Sequence, residues 1–128
     1  MEQGCVNKSH KNRVYKCHFQ LALMVIGGKW KPIILYYLGK GGVMRFGELR
    51  RAIGGITEKM LVSQLRELEE DGLVHREIYR EVPPKVEYSL TEFGMTLIPI
   101  LDSLHEWGIS YEKETKLAED GDNGREAG

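Results

Sequence analysis

The stretch Ile56-Thr57-Glu58-Lys59-Met60-Leu61-Val62-Ser63-Gln64-Leu65-Arg66-Glu67-Leu68-Glu69-Glu70-Asp71-Gly72-Leu73 decides how this chain folds. At helical spacing Leu61, Leu65 and Leu68 share one face, and Lys59, Ser63, Arg66 and Glu70 share the opposite one. The pattern predicts a helix over about 58–71. Thr57 is a residue type that caps free N–H groups of a first turn, and Glu58 suits the positive end of the helix dipole. Gly72 is placed to take the left-handed conformation that closes a helix.

Working outward, Gly54-Gly55 lies just upstream and marks a turn after a second short helical pattern, Gly47 to Ile53. Before that, Val43 to Phe46 reads as a short strand after the Gly41-Gly42 turn. Pro32 fits the first turn of a helix over 33–38 that stops at Gly39. Residues 18–26 are apolar on most sides and end at Gly27-Gly28, which predicts a short buried helix. Downstream, Leu73 to Arg80 and Val86 to Leu90 are strand candidates, the second with Val86, Tyr88 and Leu90 alternating with Glu87 and Ser89. The link Glu81-Val82-Pro83-Pro84-Lys85 reads as a stiff, exposed wing. Thr91 then caps a long final helix over about 92–111, bent at Pro99, with Phe93, Leu97, Ile100, Leu101, Leu104 and Trp107 at helical spacing.

Helix, glycine turn, capped helix and β-hairpin is the order of a winged helix-turn-helix. The expected fold is mainly α with a small β-hairpin, an α+β architecture dimeric through its N- and C-terminal helices. Phe19, Leu23, Leu97, Leu101, Leu104 and Trp107 are the candidate interface residues, because the terminal helices carry more apolar surface than one small core needs. Packing within a single subunit is the alternative. Residues 1–16 read as a flexible basic arm, with Lys8, Lys11, Arg13 and Lys16 against Glu2; residues 17–111 as the folded domain; and residues 112–128 as a charged, disordered tail.

The bulk numbers narrow the class. A chain of 128 residues can bury most of its unfolded surface without a disulfide or metal staple. With 41% hydrophobic and 29% charged residues it has an ordinary globular composition. Its net charge of −1 does not by itself argue for nucleic acid, although charge segregated to one face would be hidden in that sum. The longest mostly apolar run, Phe19 to Ile26, is far below the roughly 18–20 residues a membrane span needs. A cytoplasmic location is expected, and Cys5 and Cys17 are then read as thiols. The four histidines are scattered, so no metal or cofactor is expected. No nucleophile–base–acid arrangement stands out, and the chain is read as a non-enzyme.

Four blocks, in order, are similar to the HxlR family of bacterial winged-helix transcription regulators: Ile26-Gly27-Gly28-Lys29-Trp30-Lys31, Arg45-Phe46-Gly47-Glu48-Leu49-Arg50-Arg51, Leu65 to Val74, and Val82 to Thr91. The resemblance implies a homodimer built from the first and last helices, with a recognition helix in the major groove and wings on the DNA backbone or the adjacent minor groove. In relatives the position of Ser63 usually holds glutamine, and the N-terminal cysteine is often followed by proline where this chain has His18.

The resulting site expectation has two parts. Thr57, Lys59, Ser63, Gln64 and Arg66 are the candidate DNA contacts of this helix: Lys59 and Ser63 for reading bases, Arg66 for a base or a phosphate, and Gln64 nearer the buried side. Arg45, Arg50, Arg51, Arg80 and Lys85 are phosphate or minor-groove candidates. The expected partner is double-stranded DNA carrying an inverted-repeat operator. Cys17, between Lys16 and His18 at a helix start, is a candidate redox or electrophile sensor, because such surroundings favour the reactive thiolate; its effector is unknown. In some regulators of the resembling family the equivalent cysteine senses quinones, aldehydes or oxidants. The rival readings are a winged-helix module that binds protein instead of DNA, and a thiol enzyme using Cys17.

Overall fold

The structure is a computed structural model and describes residues 8–115. It divides into two units, one up to Met95 and one from Thr96 onward.

The first unit begins with a hairpin, β1 (Lys8–His10) paired antiparallel to β2 (Arg13–Tyr15). Residues 8–15 are therefore ordered β structure, where the sequence suggested a flexible arm. The connecting residues Lys11 and Asn12 both have positive φ, 52° and 64°. Two residues in that region match the twist of a tight hairpin, and asparagine tolerates the conformation well. Lysine does so poorly, which is why periodicity gave no hint of this turn. The remainder of the expected arm, residues 1–7, lies outside the described residues, as does Cys5.

Helix α1 (His18–Ile26) follows, then α2 (Trp30–Gly41), with Pro32 in its first turn as expected. Helix α1 is not the buried element its composition suggested. None of its residues is buried, and Phe19 stands 72% exposed and Leu23 51%. Strand β3 (Met44–Arg45) leads into α3 (Phe46–Ile53), and a two-glycine turn leads into α4 (Glu58–Glu70). The wing is β4 (Val74–Tyr79) and β5 (Lys85–Leu90), in register from Val74 opposite Leu90 to Tyr79 opposite Lys85. Strand β5 also pairs with β3, so the sheet order is β3-β5-β4 and β5 is its centre. That position explains why every β5 residue is at least partly covered whereas β4, at the edge, is mostly exposed.

The core joins Ile34, Leu35 and Leu38 of α2, Leu49 of α3, Leu61, Leu65 and Leu68 of α4, Leu73 just before the sheet, and Val74 and Leu90 within it. Burying a leucine side chain stabilises by roughly 1.5–3 kcal/mol, so this cluster orients the helix-turn-helix. Thr91 closes the unit. Its hydroxyl donates to the Gly72 carbonyl at 2.7 Å and accepts from the Gly94 N–H at 2.9 Å, capping α5 (Glu92–Met95) and tying it to the end of α4. Gly94 is needed there, because a Cβ would collide with the Leu73 carbonyl.

The expected single helix over 92–111 is broken. It stops at Met95, and the second unit starts again with α6 (Ile98–Thr115). Pro99 is the physical reason. It has no N–H for the carbonyl four residues back and its ring clashes with that carbonyl, but it is tolerated in the first turn of a new helix. Helix α6 also runs through residues 112–115, where the sequence suggests a disordered tail; residues 116–128 lie outside the described residues. Ile100, Leu104, Trp107 and Tyr111, at helical spacing, form an exposed stripe on α6, with the Trp107 and Tyr111 rings 5.4 Å apart. Leu101 is buried and off that stripe.

Candidate nucleic-acid interface

Helix α4 is shaped by its own ends. The Thr57 hydroxyl accepts from the Met60 N–H at 3.1 Å. At the other end Gly72 has φ 80°, the Leu73 N–H reaches the Leu68 carbonyl at 3.0 Å and the Gly72 N–H the Glu69 carbonyl at 3.0 Å. This is a left-handed closure that satisfies the last free carbonyls.

The preceding turn needs its glycines, since Gly54 and Gly55 have φ of 72° and 71°. Arg50 spans this turn. Its Nε donates to the Ile56 carbonyl at 3.0 Å, locking α3 to the start of α4. Beside it, Gly47, Arg50, Arg51, Gly55, Ile56 and Thr57 line an open concavity of about 470 Å³ at the N-terminal end of α4. Arg45 sits at the N-terminus of α3, where its backbone N–H donates to Glu48 Oε1 at 2.8 Å.

Lys59, Ser63 and Arg66 lie exposed along the outer face of α4 and form no ion pair or hydrogen bond among the described residues. Gln64 is half-buried on the flank, as its spacing predicts. The flanks themselves are tied down. Glu69 meets Arg76 of β4 at 3.3 Å on one side, and Glu67 meets the buried Lys31 of α2 at 2.6 Å on the other.

On the wing, Arg80 is exposed but Lys85 is not the free cation its position suggested. Its ammonium lies 4.4 Å from the centre of the Tyr79 ring, 3.8 Å from Glu87 and 4.0 Å from Glu81. A hydrogen bond to the Glu87 carboxylate also holds the Tyr79 hydroxyl above its ordinary pKa. Two carboxylates and an aromatic face thus claim Lys85 before any outside anion. Periodicity could not reveal this, because it depends on the cross-strand pairing of Tyr79 with Lys85.

Cys17 is the N-terminal boundary residue of α1, partly covered and free. Its carbonyl accepts the Leu21 N–H at 3.1 Å, and the neighbouring Lys16 N–H donates to Gln20 Oε1 at 2.7 Å. Among the described residues no group of three metal-ligating side chains occurs, and no single helix is long and apolar enough to cross a membrane.

A capped helix standing on a glycine turn, backed by a leucine core and flanked by a paired-strand wing, defines a winged helix-turn-helix protein of the transcription-regulator class. The profile of the HxlR-like helix-turn-helix family matches residues 25–116, and the chain belongs to that family. It is 55% identical over 106 residues to the HTH-type transcriptional regulator YybR of Bacillus subtilis (strain 168), spanning 80% of this chain and 84% of YybR. Among solved structures it is similar to the redox regulator HypR in its reduced form, at 54% identity and TM-score 0.70 over 78% of this chain and 97% of that one. It is also similar to diamide-treated YodB from B. subtilis, at 33% identity and TM-score 0.60 over 72% of this chain and 90% of that one. The chain is a transcriptional regulator of this type.

Proposed function

We propose that this regulator binds duplex DNA sequence-specifically as a homodimer, with α4 as the recognition helix. The observation that carries the reading is the contrast around α4: carboxylates on both flanks are paired, while Lys59, Ser63 and Arg66 on the outer face form no ion pair or side-chain hydrogen bond among the described residues. Lysine and arginine there suit guanine O6 and N7, and serine is more permissive. Arg51 and Arg45 suit phosphates, and Arg80 suits the backbone beside the wing. Lys85 and Arg50 act first within the protein. The exposed faces of α1 and of α6, with Phe19 and Leu23 on one and Leu104 and Trp107 on the other, are the dimer surfaces. Ile100 and Tyr111 join the α6 stripe, and Leu101 leaves it.

A two-fold dimer reads an inverted repeat whose half-site centres lie about one helical turn apart, roughly 10–11 base pairs. Selection from random duplexes, followed by salt titration, tests this. An inverted repeat bound with a slope of log K against log salt of roughly −0.9 for each phosphate neutralised is the expected result. Absence of any salt-dependent duplex binding would favour a protein-binding module instead. HypR is a redox regulator seen in oxidized and reduced forms and YodB is seen in a diamide-treated form, which supports Cys17 as a redox- or electrophile-responsive thiol. Unchanged operator affinity after complete modification of Cys17 would remove that role and leave the DNA reading intact.

A further inference from the structure

The C-terminal end of α4 is electrostatically unfavourable by its own sequence. Glu67, Glu69, Glu70 and Asp71 crowd the negative end of the helix dipole, and the last turn holds no basic residue. The compensating cations come from elsewhere in the fold: Lys31 for Glu67 and Arg76 for Glu69. Asp71 is the most demanding of the four, because its side chain is only 7% exposed. Its partner is Lys11, on the turn of the N-terminal hairpin, with Nζ 2.9 Å from Asp71 Oδ1 and 3.9 Å from Glu70. His10 Nε2 lies 3.9 Å from the same Asp71 oxygen, screened from solvent and without a hydrogen-bond partner. Glu67 and Asp71 are one turn apart on the same flank, so the hairpin and α2 grip α4 along one line, and these residues line a small concavity of about 70 Å³.

We propose that the N-terminal hairpin is a strap that positions the recognition helix by its C-terminal end, with Lys11 and Asp71 as the positioning residues. The strap sets how firmly the last turns of α4 are held. It forms no ion pair or hydrogen bond with Lys59, Ser63 or Arg66 among the described residues, so releasing it changes DNA affinity without changing which bases are read. The effect on DNA rests on α4 being the recognition helix; the effect on α4 does not.

The full-length Lys11→Met variant, beside Lys11→Arg, tests the strap. Hydrogen exchange needs no DNA. Amides of residues 65–71 and of the hairpin should exchange about two- to fivefold faster in Lys11→Met, the scale of one lost ion pair, with β5 unchanged and Lys11→Arg like wild type. Affinity for a duplex selected by wild type should fall by a similar factor, with the same site preference and the same salt slope. Unchanged exchange in residues 65–71 while the hairpin loosens would overturn the strap. So would a salt slope lowered by about one unit, since that marks Lys11 as a direct phosphate contact. If wild type selects no duplex, the DNA-binding reading fails, and exchange still decides the strap.

Discussion

Helices α4 and α1 make an instructive pair. Both carry apolar residues at helical spacing. In α4 that face is finished within the protomer: Leu61, Leu65 and Leu68 are at most 1% exposed, and α4 packs against α2 and β4. In α1 no residue is buried and Phe19 points into solvent. Within the second unit, α6 repeats the α1 case, with Leu104 57% and Trp107 64% exposed. An apolar stripe therefore says that a helix needs a partner, and not whether the partner is its own core. Exposed large hydrophobics in a row mark an association surface, which supports the proposed dimer through α1 and α6 and the proposed DNA contact through the polar face of α4.

The sharpest way to break this contrast is to truncate both faces. Leu65→Ala should cost about 2–5 kcal/mol of folding stability, the usual loss for a fully buried leucine, read by urea denaturation at fixed protein concentration. Phe19→Ala should change protomer stability by no more than about 0.5 kcal/mol, and act on association instead. Equal losses in the two variants would erase the distinction. Next in size, Leu104→Asp should weaken the dimer by about 2–4 kcal/mol, because it places a charge in an apolar seam. Sedimentation across a concentration series should show a folded monomer of the variant beside a wild-type dimer. A wild type that is monomeric at micromolar concentration would remove the dimer.

Two lysines sharpen the polar side. Lys59→Ala should cost roughly 1–3 kcal/mol on the preferred duplex and alter base preference. Lys85→Ala should cost clearly less, and lower the salt slope by less than the roughly one unit expected of a free phosphate contact, because Glu81, Glu87 and Tyr79 already hold that ammonium. A full-unit loss in Lys85→Ala would show that the wing rearranges on DNA. The smallest effect concerns pH. The hydrogen bond to Asp71, aided by the Asp71 and Glu70 charges, raises the Lys11 pKa above 10.5. A raised folded value means that its stabilisation is fully present below 10.5 and is lost as pH climbs through the folded value. Hairpin exchange, corrected for the intrinsic rate, should therefore be flat across neutral pH and rise only in strong alkali. Loosening near neutrality would remove Lys11 as the group that holds Asp71.

Most of the helix-turn-helix was legible because its signals are local. Thr57 before an apolar repeat, two glycines in a turn and Gly72 after the last leucine each act within about one helical turn of their own position. The misreadings are as specific. The Lys11-Asn12 turn has no glycine to announce it. The run 18–26 looks buried because composition cannot distinguish a core from an interface. Pro99 was visible, but a kink and a restart share that signal, and the backbone settled it by ending α5 at Met95.

By itself the sequence determined the recognition-helix candidate, its caps, the wing that follows, and the outward-facing Lys59, Ser63 and Arg66, since periodicity and capping are properties of near neighbours. Only the tertiary structure decided which charges remain available. It sent Lys85 onto Tyr79, Arg50 onto the Ile56 carbonyl and Lys31 onto Glu67, and it brought Lys11 from the first strand pair to Asp71 at the far end of α4. A charged side chain takes its strongest partner within a few ångströms of space, and chain distance does not enter that choice.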